Sequence, residues 1–262
     1  MKTLIFAVLM FISSAHAAVT AKSYIVTAMD GRVIAERQAD DVRSIASITK
    51  LVTVERNQGL PADELITIVA NDLRDGRMRS TPLKIGQSYP RSALIELALV
   101  SSDNVAAIAL GRTAPEAVAP ENFTIVEASG LNPENKTTAR ALADYARHLY
   151  VSANDMAATS VQPTTTGPAL RRSTNPLLTK PGWEFHLSKT GFINNSGGCL
   201  VVVTRIGGEL MTVVLLGSTS VKQRWRDLAE LRQELGDSGF AKPTEPPKSL
   251  HHPKRKQRRI RS

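Results

Sequence analysis

Ser47 and Lys50 stand three residues apart in DVRSIASITKLVTV, residues 41–54. A hydroxyl and an amine at that spacing share one face of a helix. If burial desolvates the pair, the ammonium gives up its proton and the free amine can take the one on the hydroxyl, which makes a nucleophile with its own base. Backbone N–H groups in the first turn of a helix would add donors for the negative charge that develops. The pair alone is weak evidence, because at average composition it arises roughly once in a chain of this size. Two other segments change the balance. Ser102-Asp103-Asn104 interrupts an otherwise apolar helical pattern, where serine and asparagine are poor helix formers. Lys189-Thr190-Gly191 offers a cation, a hydroxyl and a glycine that admits close approach of a ligand backbone. All three motifs in this order are roughly a one-in-a-thousand coincidence.

The elements that must carry these residues are readable in outline. A helix is expected from Ser44 as N-cap through Lys50 to about Arg56. SYIVTAMDGRVIAERQ alternates on either side of Asp30-Gly31 and predicts a hairpin. Residues 63–89 are mixed, with short strands and turns. SALIELALVSSDNVAAIALGR is helical on both sides of its polar Ser101–Asn104 cluster, and TTARALADYARHLYVSA gives another helix with Leu142, Tyr145 and Leu149 on one face. GWEFHLSKTGFI reads as a strand, and CLVVVTRIGGELMTVVLLG as a second hairpin around Gly207-Gly208. SVKQRWRDLAELRQELG closes the pattern as an amphipathic helix with Trp225, Leu228, Leu231 and Leu235 at helical spacing, stopped by Gly236. The fold class is α/β (α+β): an antiparallel sheet built from both ends of the chain, flanked by helices, with an inserted helical region.

Composition bounds the rest. Met1–Ala17 combines a basic start, a short apolar run and an A-x-A ending, the pattern of a secretory signal peptide. Its apolar run is far below the roughly 20 residues needed to cross a bilayer, and no later stretch is long enough, so no transmembrane segment is expected. The mature chain is expected to be exported to the periplasm, with one domain over residues 18–240. Of the formal net charge of +9, residues 242–262 carry +7. That Pro-rich segment, 241–262, reads as a disordered basic tail: a solvated end, or a weak electrostatic anchor to anionic wall polymer or membrane surface. Cys199 stands alone, so no intramolecular disulfide can form, and it is expected to be buried. There is no cluster of zinc-ligand spacing, no phosphate-binding glycine loop and no nucleophile elbow. No metal, no cofactor and no nucleic-acid partner is expected. His148 and His186 read as structural or surface residues.

The three motifs together are the signature of the penicillin-recognising serine enzymes. SIASITKLVT, LALVSSDNVAA, ASGLNPENKTTARALADYA and LSKTGFINNSGGCLVV resemble the low-molecular-mass D-alanyl-D-alanine carboxypeptidases and endopeptidases, nearest the short, soluble endopeptidase-type penicillin-binding protein. The resemblance covers about residues 22–236. It implies a β-lactamase/transpeptidase-like fold and a serine-type DD-peptidase that cleaves peptide bonds of peptidoglycan stem peptides through an acyl-enzyme. β-Lactam antibiotics would then be covalent inhibitors. Ser47 would be the nucleophile, Lys50 its base and Ser102 a proton relay to the leaving amine. Asn104 would hold the substrate backbone, and Lys189 and Thr190, followed by Gly191, would receive a carboxylate. The oxyanion would lie between the N–H groups of Ser47 and Phe192.

Two departures from the family pattern stand out. Only TAPEAVAPEN separates Arg112 from FTIVEASGL, where relatives carry a longer helical stretch, so the cleft is expected to be more open. Nothing after Gly236 resembles the extra β-domain and membrane helix of the anchored carboxypeptidases. Two alternatives stand beside the peptidase reading: a β-lactamase, and a non-catalytic wall-binding module. A β-lactamase of the commonest class adds an E-x-x-L-N loop, and Glu127-Ala128-Ser129-Gly130-Leu131-Asn132 is one residue too long for it.

Overall fold

Residues 199–203, CLVVV, and 213–216, VVLL, are apolar at every position, which suits strands covered on both faces. In the computed structural model, which describes residues 19–73, 81–116 and 118–237, they lie in two of the three inner strands of a five-stranded sheet. In chain order the elements are β1 (Ser23–Ala28), β2 (Val33–Arg37), β3 (Arg43–Ser44), a 3-10 turn (Ala46–Thr49), α1 (Lys50–Glu55), β4 (Leu65–Thr67), a 3-10 turn (Ala70–Leu73) and β5 (Ser88–Pro90). Then come α2 (Arg91–Val100), α3 (Asn104–Thr113), β6 (Lys136–Thr137), α4 (Ala139–Ser152), α5 (Asn154–Ser160), β7 (Phe185–Ile193), β8 (Gly197–Ile206), β9 (Glu209–Ser218) and α6 (Gln223–Asp237).

The large sheet is ordered β2-β1-β9-β8-β7 and is antiparallel throughout, so the first and last strands of the chain meet at β1 and β9. Its two faces separate by residue parity. Cys199, Val201, Val203, Val214 and Leu216 pack towards the helical region, whereas Leu200, Val202, Val213 and Leu215 pack with Leu228, Leu231 and Leu235 of α6. The expected alternation of exposure in β1 is absent. Every residue of β1 is buried, because α4 packs on one face of the sheet and the core beneath α6 occupies the other.

Both expected hairpins form, and α4 buries Leu142, Tyr145 and Leu149 as its spacing requires. Three expectations need correction. Ser44 is not a helix N-cap: it pairs with Lys136 in the small β3–β6 ladder, and the chain then turns through Ala46 at φ +47° into the 3-10 turn. Gly236 does not stop the last helix; α6 runs through it to Asp237, the last described residue, and Gly236 has no left-handed backbone. Helix α5 was not separable in the sequence from α4, since NDMAATS is too short to show a period. The signal-peptide segment and the basic tail lie outside the described residues. Among the described residues no helix is long and apolar enough to cross a membrane.

Candidate active site

Two backbone segments converge on the turn at Ser47, and glycine permits both approaches. Gly130 has φ +82°, and a Cβ there would lie 2.0 Å from the carbonyl oxygen of Ala46 and 2.7 Å from the amide nitrogen of Ser47. Gly191 in β7 is equally close-set: its Cβ would meet the Ile45 carbonyl oxygen at 2.6 Å and the Ser47 nitrogen at 3.2 Å. The glycine of the Lys-Thr-Gly motif therefore admits the chain's own turn at Ser47, a packing reason for glycine that the sequence did not show. The same approach lays β7, with Phe192 next in line, against the Ser47 amide.

Lys50 begins α1, and its side chain is fully buried. Its Nζ lies 2.9 Å from Ser47 Oγ, 2.7 Å from Asn104 Oδ1 and 2.6 Å from the carbonyl oxygen of Ser129. Desolvation lowers its pKa to about 7, against the opposing fields of Glu127 and Asp103. A neutral amine has two N–H donors and one lone pair. The two carbonyl oxygens can accept only, so they take both donors, and the lone pair is left for the hydroxyl of Ser47.

The Ser102-Asp103-Asn104 motif caps a helix rather than interrupting one. Asp103 is the N-cap of α3, its carboxylate accepting from Ala106 N at 2.9 Å. Ser102 sits just before it at φ +59°, a left-handed conformation that costs a non-glycine residue energy and sets its hydroxyl beside β7. There Lys189 Nζ donates to Ser102 Oγ at 2.8 Å and to the Thr190 carbonyl oxygen at 3.2 Å. Lys189 is also buried, and its pKa is held well below the usual lysine value by desolvation first, then by repulsion from Lys50 and Arg224. Thr190 Oγ1 donates to Thr174 Oγ1 at 2.8 Å. Asn104, expected to hold the substrate backbone, accepts with its amide oxygen from Lys50.

Several contributors were missed in the sequence. Glu127 ties the loop over α1 together: its carboxylate accepts from Ser129 N at 2.6 Å, Ser129 Oγ at 2.7 Å, Gly130 N at 2.5 Å and Asn135 Nδ2 at 2.9 Å. One face of α1 and the turn before it hold that loop, through Thr49 with Asn135, Lys50 with Ser129 and Thr53 with Ala128. Thr174 and Arg224 are the others. Arg224 on α6 donates to the Gly191 carbonyl oxygen at 2.9 Å from a buried position, and desolvation lowers its pKa to about 10. Only the arginine's position on a helix facing the sheet could have suggested it, and that is a tertiary fact. A cleft of about 900 Å³ lies between Ser129–Pro133 and Phe192–Asn195, and Phe192 in its lining is 45% exposed.

Comparisons with known proteins identify the family and the fold. The family described as D-alanyl-D-alanine carboxypeptidase matches residues 10–220. The chain is 31% identical over 231 residues to the D-alanyl-D-alanine endopeptidase of Pseudomonas aeruginosa, covering 78% of this chain and 73% of that one. It is 30% identical over 250 residues to the D-alanyl-D-alanine endopeptidase of Escherichia coli, covering 86% and 79%. Penicillin-binding protein D2 from Listeria monocytogenes, solved with ampicillin bound, superposes with a TM-score of 0.71 at 26% identity over 84% of this chain and 98% of that one. The D-alanyl-D-alanine carboxypeptidase of Mycobacterium tuberculosis shares the fold, with a TM-score of 0.74 at 19% identity over 85% and 93%. The β/α arrangement expected from the motifs is thus the penicillin-binding-protein fold, and with three motifs meeting at one serine the chain belongs to the D-alanyl-D-alanine carboxypeptidase family of serine peptidases.

Proposed function

We propose that this protein is a serine DD-peptidase that cleaves peptidoglycan stem peptides through an acyl-enzyme on Ser47. The observation that carries the reading is the valence of Lys50: two carbonyl acceptors and one serine hydroxyl around a buried amine with a pKa of about 7. In the first half-reaction Lys50 takes the proton from Ser47 Oγ as the oxygen bonds to the D-alanyl carbonyl carbon. The N–H groups of Ser47 and Phe192 would stabilise the oxyanion. The C–N bond then breaks, with Ser102 passing a proton to the departing amine. Water hydrolyses the ester and restores Ser47. Lys189 and Thr190 hold the carboxylate beside the scissile amide, and Asn104 orients both Lys50 and the substrate.

A cross-link between two stem peptides is the preferred bond in this reading. Cutting it requires room for a second peptide on the leaving side, and the short connection after α3 removes material there. The curated relatives named above are endopeptidases, which supports the same choice. β-Lactams would acylate Ser47, as the ampicillin complex of the Listeria protein suggests by analogy. Export to the periplasm through the leader at residues 1–17, and weak contact of the 241–262 tail with wall polymer or membrane surface, complete the proposal. Digestion of purified cross-linked peptidoglycan tests it. Dimers should become monomers faster than pentapeptides are trimmed, whereas free D-alanine released from intact dimers would favour the carboxypeptidase. Rapid turnover of a β-lactam would instead favour a β-lactamase, and no labelling by penicillin a wall-binding module.

A further inference from the structure

The cleft does not end at Asn195. A second cavity of about 250 Å³ shares Pro133 and Asn195 with it and continues it away from Lys189 and Thr190. Its lining carries three cations, Lys22, Arg43 and Lys136, against one carboxylate, Glu134. Arg43 is paired with Asp41 at 2.8 Å and Lys136 with Glu134 at 2.8 Å. Lys22 makes no ion pair among the described residues, and its methylene stem is laid along Gly217, whose Cβ would meet it at 3.1 Å. Ser44, three residues before Ser47, also lines the cavity, and its buried hydroxyl has no hydrogen-bond partner among the described residues.

Direction along the strand fixes which half of a substrate reaches this place. Lys189 and Thr190 mark the end that receives the leaving-group carboxylate, and β7 advances about 3.3 Å per residue from there towards Phe192 and the turn at Asn195. The acyl half must therefore run along Phe192–Asn195. We propose that the Lys22–Ser44–Lys136 cavity is a subsite for a carboxylate on the acyl half of the stem peptide, two or three residues before the scissile carbonyl. An unpaired ammonium and a free hydroxyl donor suit an anion, and Ser44 stands three residues before Ser47, at most about 10 Å away along the chain. The inference rests on the DD-peptidase reading and adds a specificity determinant to it.

The test uses pairs of cross-linked peptides that differ only in whether that carboxylate is free or converted to its amide. The full chain should cleave the free acid with about fivefold higher kcat/KM, the size expected for one partly exposed charged contact. Lys22→Gln should erase the preference and leave both the amide's kcat/KM and the rate of penicillin acylation unchanged. Lys136→Gln is the second variant, and it should weaken the preference. Cleavage of both peptides at equal rates by the unmodified protein, or a preference that survives both variants together, would overturn the subsite. Failure to cleave either peptide or to react with penicillin would overturn the peptidase reading, and the subsite with it.

Discussion

Asn104 Oδ1 accepts a hydrogen bond from Lys50 Nζ at 2.7 Å, joining two motifs 54 residues apart. The bond occupies one amine hydrogen and so helps to point the lone pair at Ser47. Because the Lys50 pKa is about 7, acylation by a penicillin should rise with pH through that value as the neutral amine accumulates. Asn104→Asp puts a carboxylate against the amine, which stabilises the ammonium and raises its pKa. Its acylation profile should therefore shift to higher pH, with slow labelling near pH 7 that recovers in alkali. An unshifted profile would remove Lys50 from the role of base.

Ser47→Ala should abolish covalent labelling by a fluorescent penicillin while the protein stays folded. Lys50→Ala should slow labelling by about three orders of magnitude or more, since nucleophile and base act as one unit. Peptide mapping of the adduct checks the assignment, and a label on Ser102 would refute it.

The buried lysine also predicts how stability depends on pH. The folded pKa of Lys50, about 7, lies below the unfolded value of 10.5, so between those values the unfolded chain binds more protons. Stability should rise with pH across this window, with a slope of up to about 1.4 kcal/mol per pH unit from this residue. Below pH 7 the penalty for burying the ammonium is fully present. Lys50→Met should reduce the slope, leaving the share of the other buried lysine, Lys189, and stabilise most at low pH, as chemical denaturation at several pH values would show.

Gly130→Ala should be among the most damaging single substitutions. The new methyl would lie 2.0 Å from the Ala46 carbonyl oxygen, on a residue at φ +82°. Strain and displacement together should cost about 3 kcal/mol or more, with loss of penicillin acylation. A variant with unchanged melting temperature and labelling would show that the loop moves away freely.

Glu127→Gln separates the peptidase from a β-lactamase. The Glu127 carboxylate already accepts from Ser129, Gly130 and Asn135, so it is committed to holding its loop and is not free to activate water. The penicillin adduct should be long-lived in the parent protein and no longer-lived in the variant. A marked increase in adduct lifetime in Glu127→Gln would assign the carboxylate to deacylation.

The motifs were legible because each needs only local residue types. Alternation and helical period likewise located the two hairpins, the split helix around Ser101–Asn104 and the apolar face of α4. Ser44 was misread because an N-cap serine and a strand-end serine look alike until the partner, Lys136, is known. Glu127 drew notice only as the start of a string one residue too long for a β-lactamase loop, because its clamp on Ser129, Gly130 and Asn135 depends on the turn it closes.

What the sequence by itself determined is which groups could react: a serine, two lysines, a second serine and an asparagine, in order, on elements whose periods could be read. What only the tertiary structure decided is their chemistry. The amine of Lys50 is suited to the base role proposed for it because α1, α3 and the Ser129 loop bury it between two carbonyl oxygens, and the hydroxyl of Ser102 meets Lys189 because the sheet brings residues 87 positions apart within 2.8 Å. Desolvation is a property of everything packed around a group, and no spacing along the chain encodes it.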